Sequence, residues 1–92
     1  MVFEYDQNKS HSNKRKHGID FEEAQRLWSD PNVFMIPSLQ KQDEERFLVF
    51  GKIQRRHYTA IVTFRGEALR IISVCRSRKK EIEYHESNPQ AH

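Results

Sequence analysis

Ninety-two residues, 36% hydrophobic and 11% aromatic, suffice for one modest core and not for two. The single cysteine, Cys75, excludes an internal disulfide, and the opening Met1–Asp6 has neither the cationic nor the apolar region of a secretory leader, so a cytoplasmic chain without a membrane span is expected. The net charge of +3 hides an asymmetry: residues 46–80 hold ten of the sixteen Lys and Arg but only one of the thirteen acids, Glu67, which points to a surface for polyanions on an otherwise acidic chain.

Val2–Tyr5 alternates apolar and polar residues and predicts a short edge strand. Asp6–His17 has almost no apolar residue, so only its brackets argue for a helix: Asp6 as N-cap and Gly18 as the left-handed C′ residue. The Lys14-Arg15-Lys16-His17 end suits a helix C-terminus, either as dipole complementation or as a nucleic-acid contact. Asp20 with Glu23 makes a capping-box pair, and Phe21, Ala24, Leu27 and Trp28 fall on one stripe, so a second, amphipathic helix is expected from Asp20 to Ser29-Asp30-Pro31. Val33–Ile36 reads as a short strand closed by Pro37, and Ser38–Glu45 as a polar loop.

Three strands follow: Arg46–Ile53, Tyr58–Arg65 and Ala68–Arg76. Phe47-Leu48-Val49-Phe50 is apolar at every position, the pattern of a strand covered on both faces. Taking Gly66-Glu67 as the central turn residues sets Arg65 opposite Ala68 and, carried along the strands, His57 opposite Arg76, Thr59 opposite Val74 and Ile61 opposite Ile72. Ala60, Val62, Phe64, Leu69, Ile71, Ser73 and Cys75 then share the other face, with Cys75 a buried, inert thiol. Ser77–Ser87 predicts a last helix capped by Ser77, with Ile82 and Tyr84 or His85 near the sheet. Arg78, Lys79 and Lys80 occupy its first turn, where the macrodipole is already positive; a bound phosphate would resolve that clash.

No metal or cofactor site is expected, because the basic stretch has one carboxylate at a turn tip and the five histidines lack ligand spacing. The remaining constellation is a metal-free phosphodiester site: His57 as acid or base, Arg76 and Arg78 on the phosphate, with Lys52 and Tyr84 nearby. RNA suits it, since the neighbouring 2′-hydroxyl supplies an internal nucleophile that DNA lacks. Arginines beside His57 would hold it neutral. Lys52, Arg55, Arg56, Arg65, Lys79, Lys80 and Tyr84 are candidate RNA contacts. The alternative is a non-catalytic nucleic-acid-binding module whose basic sheet only holds backbone phosphates. Apolar residues on both sheet faces, with too little C-terminal chain to cover the second, also predict an exposed strip for a protein partner.

Phe3-Glu4-Tyr5-Asp6, Lys9, Asn13, Lys16-His17-Gly18-Ile19, Phe21-Glu22-Glu23-Ala24 and Asp30-Pro31 resemble the opening of the BrnT family of bacterial toxins. Glu44-Glu45-Arg46, Gly51, Thr63, Arg65-Gly66 and Arg70-Ile71-Ile72-Ser73 match its second half in order and spacing. The resemblance implies an α+β, RelE-like toxin domain over residues 1–92: two N-terminal helices on a twisted, mostly antiparallel sheet and a short C-terminal helix. It also implies a toxin of a type II toxin-antitoxin system that cleaves RNA and blocks translation. Its partner would be a BrnA-like antitoxin, in a complex with two copies of each chain that meets DNA only through the antitoxin. By position, the active-site residues of RelE-type toxins correspond to Lys52, His57, Arg76 or Arg78, and Tyr84. The family's usual Ser-Ala-Arg reads Ser73-Val74-Cys75 here, so the role of the missing arginine falls to Arg76 or Arg78.

Overall fold

The computed structural model describes residues 1–39 and 44–87, so part of the predicted Ser38–Glu45 loop lies outside the described residues. In chain order the elements are β1 (Val2–Glu4), α1 (Gln7–His17), α2 (Phe21–Ala24) running into a 3₁₀ helix (Gln25–Ser29), β2 (Phe34–Pro37), β3 (Phe47–Ile53), β4 (Arg56–Arg65), β5 (Ala68–Arg76) and α3 (Lys79–Ser87). The architecture is α+β. Its sheet is mixed, in the order β1-β5-β4-β3-β2, with β1 parallel to β5 and every other pair antiparallel.

The caps act as the sequence requires. Asp6 Oδ1 accepts from the backbone of Asn8 and Lys9, at 2.8 and 3.1 Å, and Gly18 ends α1 at φ 76°. Asp20 and Glu23 form both halves of the capping box. Because α1 has no apolar stripe, polar groups anchor it: Ser10 Oγ accepts from Phe21 N at 2.9 Å, and the buried Asn13 amide docks on β5. Beyond Arg70, among the described residues, β5 has no neighbouring strand on the β1 side. Asn13 serves as a substitute peptide there, donating to Val74 O (2.8 Å) and Ile19 O (2.7 Å) while its Oδ1 accepts from Val74 N (3.2 Å).

The predicted second helix is α-helical only to Ala24 and then tightens to 3₁₀. Phe21, Ala24 and Leu27, each at most 1% exposed, are spaced by three residues, and the 3₁₀ period keeps such a row in line where an α-helix would rotate it away. This row, with Ile19, packs on Val49, Tyr58, Ala60, Val62, Leu69, Ile71 and Val74 to form the core. Gly51 is where Leu27 enters: a Cβ there would lie 2.9 Å from Leu27 Cδ2 and 3.3 Å from Leu27 O. Gly51→Ala is therefore expected to cost about 1–3 kcal/mol in denaturant unfolding, because fully buried Leu27 has nowhere to move. An unchanged midpoint would contradict this packing.

The β4–β5 turn forms at Gly66-Glu67, with Arg65 opposite Ala68 as expected, and the predicted register holds to Val62↔Ile71. It then shifts by one residue at an irregularity between Ile61 and Val62, so that Ile61 pairs with Ser73, Thr59 with Cys75 and Tyr58 with Arg76. The predicted pairs His57–Arg76, Thr59–Val74 and Ile61–Ile72 are therefore not formed. The physical gain is that Val74, rather than Ser73 or Cys75, reaches the core opposite Ala60, both 0% exposed. Cys75 moves to the opposite face and is half-buried rather than buried; burial still raises its pKa, so it remains a poor nucleophile.

Candidate functional site

The face of the sheet away from the core carries Phe50 and Lys52 on β3 and His57 and Thr59 on β4. A two-residue turn at Gln54-Arg55, with Gln54 at φ 58°, sets Lys52 directly across from His57. Lys52, not Arg76, is thus the cation paired with the histidine. α3 closes over this end, with Tyr84 5.4 Å from Phe34 and 5.9 Å from Phe50, and Phe34 stacked on Phe50 at 5.1 Å. Ser77 does not cap α3. Its hydroxyl pairs with Thr59 Oγ1 at 2.8 Å, its N–H donates to His57 O at 2.9 Å, and Glu81 accepts from Arg78 N at 2.7 Å to start the helix instead.

The His57 side chain is only 11% exposed, and its Nδ1 lies 3.3 Å from Nδ1 of His85. His85, 5% exposed, turns its Nε2 to the carbonyl of Asn32 at 2.8 Å, with Asp30 Oδ2 at 3.7 Å. Asp30 is itself held by the backbone N–H groups of Asn32 (2.9 Å) and Lys52 (2.8 Å), the first an Asx turn around Pro31. On the outer side, Glu86 Oε2 stands 3.6 Å from His57 Nε2 and is largely exposed. Burial lowers the His57 pKa below its ordinary 6.5; Glu86 pulls it up, His85 and Lys52 push it further down, and Asp30 opposes them. The sequence predicted this direction but assigned it to arginines.

Arg76 and Arg78 line a separate cleft of about 410 Å³ with Lys16, His17 and Cys75. It lies at the same end of the sheet as His57, since Arg76 pairs with Tyr58 and Ser77 binds the His57 carbonyl. Arg76 nevertheless points to the face opposite His57. The C-terminal end of α1 so contributes two groups to a cationic cleft, while Lys14 is tied to Glu23 at 2.7 Å.

A family model described as ribonuclease toxin, BrnT, of type II toxin-antitoxin system matches residues 5–81. The chain belongs to the BrnT family. It is accordingly a ribonuclease toxin with an antitoxin protein as partner. A comparison with curated proteins found no match.

Among the predicted BrnT site residues, Lys52, His57 and Tyr84 share one face, and Arg76 and Arg78 share the neighbouring cleft. Arg55 and Arg56 are exposed at the β3–β4 turn, and Lys79 and Lys80 on the first turn of α3. Arg65 lies at the far end of the β4–β5 hairpin, 4.0 Å from Glu4 and 3.8 Å from Glu44, away from His57. Asp30, Asn32 and His85 were not among the predicted site residues. Only the position of His85 three residues after Ile82 hinted that it faces the sheet. The expected apolar strip is half covered: α3 shields Phe34 and Phe50, while Ile36, Leu48, Ile61, Pro37 and the 97% exposed Leu39 line an open groove of about 290 Å³. Among the described residues, no helix is long and apolar enough to cross a membrane.

Proposed function

We propose that residues 1–92 act as one RelE-like toxin domain, a metal-independent endoribonuclease that cuts RNA by 2′-hydroxyl attack and so inhibits translation in the cytoplasm. The 2′-oxygen bonds to phosphorus, the 5′-oxygen leaves, and one proton must be taken from the first and one given to the second. The observation that carries this reading is the shielded His57 ring, kept neutral by burial and set across from the Lys52 ammonium. His57 moves a proton; Arg76 and Arg78 bind phosphates and offset charge on the phosphorane. Lys52, Arg55, Arg56, Lys79 and Lys80 extend the contact along the RNA backbone, with Arg65 farther along the hairpin, and Tyr84 offers a half-exposed ring to a base.

A BrnA-like antitoxin, in a complex with two copies of each chain, would neutralise the toxin by filling the apolar groove beside β2 and setting acids against the cationic cleft. The deciding experiment is incubation of pure protein with RNA in EDTA. Cleavage is expected, with the acid limb of its pH–rate profile centred below 6.5, because burial, helped by His85 and Lys52, lowers the His57 pKa and outweighs the upward pull of Glu86 and Asp30. RNA bound but left intact would favour a non-catalytic binding module.

A further inference from the structure

We propose that His85 is a positioning residue for His57: it accepts a hydrogen bond from His57 Nδ1–H, fixes neutral His57 as that tautomer, and leaves Nε2 bare to take the proton. The inference rests on the reading of His57 as the proton-transfer group, and it follows from counting hydrogens across two rings. A carbonyl oxygen only accepts, so the 2.8 Å contact with Asn32 O requires a hydrogen on His85 Nε2. Neutral His85 then has a bare Nδ1. The 3.3 Å contact between the two Nδ1 atoms needs one hydrogen, and His57 must supply it. Of the four ring nitrogens, only His57 Nε2 is left with an unused lone pair, and it is the one facing outward toward the exposed carboxylate of Glu86, 3.6 Å away.

The support is built from three separate pieces of chain. Asp30 folds the Asx turn that presents the Asn32 carbonyl, α3 delivers His85, and β4 delivers His57. His85 is 5% exposed and packed against Phe34 at 5.5 Å, so its ring cannot turn to exchange nitrogens without breaking that contact and the Asn32 bond together. Residue 85 lies outside the segment matched by the family model, which ends at residue 81. The arrangement has the logic of an orienting group behind a catalytic imidazole, where the wrong tautomer can cost up to about 10⁴ in kcat.

The test is nitrogen-15 NMR of the histidine rings of the full chain at a pH where both are neutral, together with RNA cleavage. Wild-type His57 is expected as the Nδ1–H tautomer with Nε2 unprotonated. His85→Phe, which keeps a ring beside Phe34 but has no acceptor, is expected to shift His57 toward Nε2–H and to lower kcat about tenfold or more with little change in KM. His85→Asn, whose Oδ1 can stand near the lost Nδ1, is expected to restore part of both. Nε2–H His57 in the wild type overturns the proposal even if no variant folds, as does an unchanged tautomer in folded His85→Phe. If the tautomer behaves as expected while His57→Gln still cleaves RNA, the catalytic reading of His57 fails and the positioning contact stands.

Discussion

Substituting His57 by glutamine is expected to slow RNA cleavage by about 10²–10⁴-fold, the usual contribution of a group that moves a proton in the transition state. Glutamine keeps a polar side chain of similar reach in the space beside Lys52 and His85, so the thermal unfolding midpoint should change little while the rate collapses. Initial rates on a defined RNA, measured beside a circular-dichroism melt, separate the two effects. The substituted chain should also lose its toxicity when expressed without antitoxin. Wild-type rates in His57→Gln would move the proton-transfer role to another residue, with Lys52 directly across the strand pair the first alternative.

The largest effect on stability is expected at a residue that takes no part in the proposed chemistry. Asn13→Ala removes the partners of Ile19 O, Val74 O and Val74 N in one step, all at a buried contact between α1 and the free edge of β5. With roughly 1–3 kcal/mol for each buried polar group left without a partner, the loss is expected to be on the order of 3–5 kcal/mol. Small domains are stable by only about 5–15 kcal/mol, so this can consume much of the margin. Asn13→Asp should be at least as damaging, since a carboxylate would then face two carbonyl oxygens. Urea unfolding of both variants checks the prediction, and a shift below about 1 kcal/mol would mean that water replaces the amide without penalty.

His57 shows how far local reasoning reaches. An isolated histidine among cations is visible in the linear chain as a proton-transfer candidate, but its neighbours are not. The sequence register placed Arg76 across from it; a single irregularity beside Ile61 moves Arg76 across from Tyr58 and onto the other face. Strand side chains alternate, so one added residue exchanges the two faces for every position beyond it. Whether the ladder slips is decided by which residue the core accepts, and Val74 wins over Ser73 because apolar burial outweighs an unbroken turn register.

By itself the sequence determined the features governed by contacts a few residues long. Asp6 and Gly18 bound α1, Asp20 and Glu23 start α2, Gly66-Glu67 turns the hairpin, and the placement of the cations makes one end of the sheet basic. Only the tertiary structure decided the contacts that define the site and hold it: His57 to His85 across 28 residues, and Asn13 to Val74 across 61. Both are directional hydrogen bonds between polar groups that are buried or largely shielded from water. Such bonds leave no periodicity in a sequence, because their partners are chosen by where the backbone brings two distant segments together and by the cost of leaving either group unpaired.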